Sequence, residues 1–280
     1  MKYDVVFLIV VYGCDDLSSV KTLTTIRNNL APLMGIKVKI SIWNNGPKYF
    51  IENSKSELIA ALINSGVEVS ITEDLSNCKL SKLYNDFHMV YDSRLYVYLD
   101  HDSDLNEFYI NELTTISDFE VGVPVVTCNN NVESPFYITV SMWSKYYSAI
   151  GSGLVVGKYV LDKLKLKYGN AFDEKYLLYG VDSSFFLRLS QSNLMGSVKE
   201  INGFDHDLSR LAKGKPSKFR IAERSGEIAL TTRYYFTTLD RVFMITRVLI
   251  KCVKDFILGR KELSAAIFLK TLISGNYNRE

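Results

Sequence analysis

Leu95–Leu105, LYVYLDHDSDL, is the stretch from which the rest of the chain takes its meaning. An apolar run rich in strand-forming residues ends on two carboxylates one position apart, Asp100 and Asp102. Side chains alternate along a strand, so this pair points one way and His101 the other. A buried strand that stops on such a pair carries acidic oxygens to the end of a sheet. Open α/β folds bind ligands there, and hard divalent cations favour oxygen donors. The same letters also describe a solvated turn with three acids, Asp104 being the third. Asp-x-Asp is common by chance, so the flanking chain has to decide.

Toward the N-terminus, Val5–Tyr12 is an eight-residue apolar run. A membrane span needs about 20 such residues, so this reads as a first buried strand. Asp15 or Asp16 suits the cap of a helix carrying Val20, Leu23, Ile26 and Leu30 at helical spacing, stopped by Pro32. Val38–Trp43 alternates into a second strand that ends at the turn Asn44-Asn45-Gly46-Pro47. A helix over Glu57–Asn64 closes at Gly66, and Val67–Thr72 makes a third strand. Asn77 suits the cap of the next helix, which shows Leu80, Leu83, Tyr84, Phe87, Val90 and Tyr91 on one face. Strand and helix thus alternate up to the acidic strand. That pattern predicts an α/β fold with a mostly parallel central sheet and helices on both sides.

Downstream, the pattern predicts a helix over Glu107–Ile116, a strand over Val121–Thr127 and a loop over 128–135. A strand over Phe136–Val140, a helix over Lys158–Tyr168 and a strand over Ser197–Asn202 follow, with helices from Pro216 onward. The four cysteines are scattered without CxxC spacing, which argues for free thiols in a reducing compartment, neither a disulfide framework nor a zinc site. No stretch is long and apolar enough to span a membrane, so the chain is expected in the cytoplasm. Aromatics, at 12%, suit planar ligands such as sugars or bases, and are equally what an AT-rich genome encodes. Residues 199–280 carry 16 Lys/Arg against 9 Asp/Glu, whereas residues 1–198 carry 17 against 22. An anionic partner is therefore expected at the C-terminal end.

Four blocks in order resemble the family-two glycosyltransferases with a GT-A fold, specifically the bacterial rhamnosyl- or hexosyltransferases of O-antigen and capsule synthesis. They are NCKLSKLYN (77–85), LYVYLDHDS, FDEKYLLYGVDSSFFLRL and DHDLS (205–209), and the resemblance covers roughly residues 3–240. Lys79 and Leu83 stand where the family usually has Gly and Ala, and Asn44 and Asn45 where it usually has base-reading Asp. An amide still hydrogen-bonds a pyrimidine edge, so base binding survives while base preference loosens.

The resemblance implies a GT-A catalytic domain over 1–215 and a C-terminal helical region over 216–280. It implies an inverting transfer from a UDP- or dTDP-linked sugar to a hydroxyl of a lipid-linked glycan, with Mn²⁺ or Mg²⁺. Asp102 is then a direct metal ligand, and Asp100 holds the ribose or the metal through water. His206 either completes the metal shell or is a loop histidine between Asp205 and Asp207. Asp182 is the expected base, set against an ordinary N-cap aspartate, with Asp173 and Glu174 as alternatives. Arg188 meets the diphosphate or pairs with an acid. Donor contacts are expected at Tyr12, with packing as the plain alternative, at Asn44, Asn45, Asp74 and Asn77, and at Lys82, with solvation as the plain alternative. Trp43 reads as core, Trp143 as core or sugar-stacking, and His88 as structural or exposed.

In the C-terminal region, Arg247, Lys251 and Lys254 form a basic stripe on an otherwise apolar helix over Asp240–Leu258. Such a helix lies on an anionic membrane surface, peripheral to the inner face, or packs on the catalytic domain with its lysines in water. No motif supports nucleic acid as partner. A catalytically idle nucleotide-sugar or glycan-binding protein on the same fold is the competing reading. A nucleotidyltransferase is disfavoured, since no Gly-rich phosphate loop follows the first strand.

Overall fold

Alternate residues of the first strand enter different cores. In β1 (Tyr3–Val11), Val6, Leu8 and Val10 pack on one face of the sheet and Val5, Phe7, Ile9 and Val11 on the other, all buried. Burial on both faces is what a strand covered by helices on each side requires. The computed structural model describes residues 2–51, 56–129, 131–206 and 216–278. The part of the DHDLS block beyond His206, and residue 215, where the catalytic domain was expected to end, lie outside the described residues.

β2 (Val38–Asn44), β3 (Glu68–Glu73), β4 (Ser93–Asp100) and β5 (Val121–Pro124) follow β1. Two hairpins come next, β6 (Val126–Cys128) with β7 (Asn131–Ser134) and β8 (Phe136–Thr139) with β9 (Lys145–Ser148), then β10 (Leu154–Gly157) and β11 (Val198–Ile201). The central sheet has the order β11-β5-β10-β4-β1-β2-β3. Its pairings are parallel except those of β10, which runs against β4 and β5. The mostly parallel α/β architecture expected from the sequence is the one observed.

The helices are α1 (Lys21–Asn28), α2 (Ser56–Asn64), α3 (Leu80–Val90), α4 (Glu107–Glu112), α5 (Lys158–Tyr168) and α6 (Val181–Gln191). The chain closes with α7 (Lys218–Tyr234), α8 (Thr238–Ile257) and α9 (Ala265–Ser274). Leu23, Leu62 and Ile110 place α1, α2 and α4 in the core on the Phe7 face of the sheet. Leu83, Leu161, Phe185, Leu230, Val248 and Phe268 place α3 and α5 to α9 in the core on the Leu8 face. No helix among the described residues is long and apolar enough to cross a membrane.

Three local expectations are corrected. The strand over Val121–Thr127 breaks after Pro124, which has no N–H for the ladder. The Val125 N–H donates to Ile201 O at 3.2 Å, and Val126 starts a separate hairpin. Within the expected loop over 128–135, Asn131–Ser134 is the return strand of that hairpin. Asn77 adopts a left-handed turn (φ 50°), and the helix starts only at Leu80, whose N–H donates to Leu177 O at 2.8 Å. A carbonyl elsewhere in the chain thus satisfies the N–H that a capping side chain would take.

The strand order fixes where ligands can enter. From β1 the chain steps to β2 and β3 on one side, then returns to place β4 on the other. The crevice between the C-terminal ends of β1 and β4 is therefore the switch point of the sheet. Val10 pairs there with Asp100, and the next residue, Val11, with Asn44.

Candidate active site

β4 ends at Asp100, and His101 and Asp102 already lie in a turn. The two carboxylates therefore converge through the turn and not through strand alternation alone. The turn is held from beneath by hydroxyls. Thr22 Oγ1 donates to Asp100 O at 2.6 Å, Ser152 Oγ accepts the Asp100 N–H at 3.0 Å, and Ser103 Oγ lies 2.6 Å from Ser152 Oγ. All three hydroxyl residues are buried.

His206 arrives from the far edge of the sheet. Beyond β11 the chain runs beside β6 and the acidic turn. The His206 N–H donates to Thr127 O at 3.0 Å and the Asp104 N–H to Asp205 O at 3.4 Å. The buried imidazole then lies with Nε2 3.7 Å from Asp100 Oδ2 and Nδ1 3.8 Å from Asp102 Oδ1. One ligand atom from each of Asp100, Asp102 and His206 falls within 4.8 Å of the others. His206 Nδ1, although buried, has no hydrogen-bond partner among the described residues. Burial raises the Asp100 carboxyl above its usual range; the His206 imidazole opposes this and the Asp102 charge adds to it. Two carboxylates and an imidazole suit a hard or borderline divalent cation, and an unsatisfied ring nitrogen aimed at them fits the same role.

Asp182 faces this cluster from α6. It is not the N-cap: Gly180 holds that place in a left-handed conformation (φ 84°), and Asp182 sits in the first turn. Its Oδ1 is buried without a hydrogen-bond partner among the described residues. Gly151 packs directly on the carboxyl; a Cβ there would lie 2.3 Å from Oδ1. Burial pushes the Asp182 carboxyl up to about 7, the Asp100 charge adds to it, and the Gly151 amide opposes it. Two features were not legible beforehand. Glu227 of α7 packs on Gly180 and is also pushed up to about 7, chiefly by burial. The buried Thr22, Ser103 and Ser152 that set the turn come from three separate parts of the chain. For Glu227 the only signal was a second acid, Glu223, one helical turn before it.

The expected donor residues fall into two groups. Tyr12, exposed at the end of β1, and Asp74, which takes the Ser76 N–H at 2.9 Å, stand at the C-terminal edge of the sheet. Asn44 and Asn45 stand there too, but turned inward. Asn44 Nδ2 donates to Lys48 O and Glu73 Oε2, and its Oδ1 accepts the Gly46 N–H. Asn45 exchanges hydrogen bonds with the Cys78 backbone at 2.9 and 3.1 Å. Both amides, expected to read a base, are occupied in holding their loops. Lys82 pairs with Asp86 on its own helix, which is the plain alternative.

The remaining polar residues are structural. Arg188 is buried and pairs with an acid, Asp173, at 3.4 Å. Asp173 also accepts from Tyr235 Oη at 2.8 Å, and Glu174 accepts from Asn85 at 3.0 Å. His88 is buried against Tyr96 with Nε2 3.3 Å from Asp162.

Similar solved structures exist. Crystalline S. aureus TarS matches with TM-score 0.49 and 11% identity, over 90% of this chain and 43% of that one. This chain therefore spans less than half of its length. Glucosyl-3-phosphoglycerate synthase from Mycobacterium tuberculosis, in complex with Mn²⁺, uridine-diphosphate and glucosyl-3-phosphoglycerate, matches with TM-score 0.47 and 12% identity, over 80% and 77%. GalNAc-T7 with UDP, GalNAc and Mn²⁺ matches with TM-score 0.47 and 13% identity, over 98% and 58%. No family model and no curated protein matches the sequence. The residue roles rest on the geometry of the cleft.

Proposed function

We propose that the chain is an inverting, metal-dependent glycosyltransferase of the GT-A type. It would move a sugar from a UDP- or dTDP-linked donor to a hydroxyl of a lipid-linked oligosaccharide in O-antigen or capsular polysaccharide synthesis, at the inner face of the membrane. The observation that carries this reading is the meeting of Asp100, Asp102 and His206 at the switch point, opposite an Asp182 whose Oδ1 has no partner among the described residues.

Asp102 and His206 would hold Mn²⁺ or Mg²⁺, with Asp100 as third ligand or ribose contact. When bound, such a cation neutralises charge on a departing diphosphate as a Lewis acid. Asp182 Oδ1 accepts the proton of the acceptor hydroxyl as that oxygen attacks the anomeric carbon and the bond to the diphosphate breaks. A carboxyl raised toward neutrality is a stronger base than an ordinary aspartate, and Oδ1, without a partner among the described residues, is free to take the proton. One displacement with one base inverts the anomeric centre. Tyr12 and Asp74, with Asn77 and Lys82 beyond them, border the place for the nucleotide.

A panel of UDP- and dTDP-sugars with Mn²⁺, read by release of nucleoside diphosphate, tests the reading. Asp182→Asn should retain donor binding and lose turnover by a factor of about 10²–10⁴. Equal turnover in that variant, or no release from any donor, sinks the proposal.

A further inference from the structure

Helix α8 is packed on one side only. Asp240, Met244, Val248 and Asp255 face the protein, while Val242, Ile250, Val253, Phe256 and Ile257 stand in solvent, Phe256 at 85% exposure. At 3.6 residues per turn these five fall within an arc of about 120°, opposite the packed side. Near the start of the helix the apolar surface continues onto the turn between β8 and β9. Met142 is 86% exposed there and Trp143 70%, with the Trp143 ring 6.0 Å from that of Phe243. An apolar surface as long as a 20-residue helix is unusual on a monomer and marks an interaction site.

The charges around it are sorted by sign. Asp240 is buried under the hydroxyls of Ser141, Ser144 and Tyr146. Asp255 and Glu262 both lie against Lys251, at 3.6 and 2.7 Å. Of the stripe expected from the sequence, Arg247 and Lys251 are thus engaged within the protein, Arg247 donating to Thr139 O at 2.8 Å. Lys254, beside the apolar arc, and Arg260 and Lys261, just past the end of the helix, remain exposed. The patch therefore has an apolar centre, a cationic border and a tryptophan at one end.

We propose that the outer face of α8 and the Met142–Trp143 turn form one docking surface for an anionic lipid bilayer. The apolar side chains enter the interface, and Lys254, Arg260 and Lys261 meet lipid phosphates. A bilayer uses both parts of the patch, and an interfacial tryptophan suits its boundary. A second copy of the chain would use only the apolar part. Its two-fold contact would bring the same cationic borders together. The proposal deepens the transferase reading by naming the surface that holds the cleft at the membrane of its acceptor. The same hairpin links surface to site: beyond the Trp143 turn, Ser148 Oγ donates to Ser183 Oγ at 3.2 Å, beside Asp182.

The chain has two tryptophans, so Trp43→Phe leaves Trp143 as the sole reporter. Its emission should shift to the blue, and brominated lipids should quench it, on adding phosphatidylcholine vesicles that contain phosphatidylglycerol. Ile250→Ser/Phe256→Ser/Ile257→Ser should weaken co-sedimentation with these vesicles by at least about tenfold. Lys254→Gln/Arg260→Gln/Lys261→Gln should weaken it by about tenfold or more, and leave weak binding to pure phosphatidylcholine unchanged. All six positions are exposed, and circular dichroism confirms that both variants are folded. No shift and no co-sedimentation, or an apolar triple variant that binds like the parent, overturns the proposal. So does a dimer that this variant dissolves, with no vesicle binding, which assigns the face to a second copy. Docking is read without turnover, so a chain that docks but never cleaves a nucleotide sugar sinks the transferase reading and leaves the surface standing.

Discussion

Two polar clusters draw on helix α6, through Arg188 and through Asp182, and treat their atoms in opposite ways. Around Arg188, Nε donates to Tyr235 Oη, one terminal nitrogen donates to Asn170, and the other lies 3.4 Å from Asp173. Tyr235 in turn donates to Asp173, so the cluster is closed on itself and ties α6 to α7. In the cleft, Asp182 Oδ1 and His206 Nδ1 are buried without partners among the described residues. Leaving such atoms unsatisfied costs about 1–3 kcal/mol each, and few are tolerated in a native protein. Satisfied polar burial holds the fold together. Unsatisfied polar burial at a switch point is where a ligand would supply the missing partners.

The comparison can be broken from either side. The largest effect is expected at the closed cluster. Arg188→Ala takes the buried guanidinium from Asp173, leaving it only the half-exposed Lys175 at 3.4 Å, and should lower unfolding stability by about 3 kcal/mol in a urea titration. A loss below about 1 kcal/mol would show that the network is not structural.

His88 sharpens the same point through pH. Burial pushes its imidazole down to about 4, although Asp162 pulls the other way. The unfolded chain takes up that proton near pH 6.5, well before the folded one does. The contribution is therefore complete above pH 6.5 and is lost as pH falls toward 4. The loss should reach roughly 3 kcal/mol, and His88→Gln should flatten that slope.

Asp102→Ala addresses the open cluster. Donor turnover should fall at least about a hundredfold, because a cation ligand is lost. Stability should change by no more than about 0.5 kcal/mol, since the side chain is half-exposed in a turn. Loss of fold together with turnover would move Asp102 into the structural class.

The smallest effect has the opposite sign. Asp182 is raised from the ordinary carboxylate range to about 7 in the folded chain. Folded protein therefore binds the proton more tightly between about pH 4 and 7, and stability falls as pH rises through that window. In a metal-free melt, Asp182→Asn should gain about 1–3 kcal/mol above pH 7 and nothing near pH 4. A variant less stable than the parent at pH 8 would show that the carboxylate is a structural acceptor after all.

Much of this was legible in the sequence, for identifiable reasons. Val5–Tyr12 and Leu95–Leu99 are continuous apolar runs because both faces of their strands are covered, and the helices between them carry clean apolar faces. The acid pair and the helix carrying Asp182 were found because strand ends and helix starts are locally encoded. What eluded the sequence depends on distant partners. The amides of Asn44 and Asn45 look like ligands until Glu73 and Cys78 are known to take them. Lys251 looks free until Glu262 folds back onto it, and Glu227 gains its place only when α7 crosses Gly180. Pro124 is visible in the strand it breaks, and its missing N–H is the local signal of that break.

The most direct test of the central claim is a calorimetric titration of Mn²⁺ into the protein in the presence of UDP, alongside Asp102→Ala. The account predicts one saturable site per chain in the parent, weakened at least about tenfold in the variant. Equal Mn²⁺ binding by both proteins, or none by either, would contradict it.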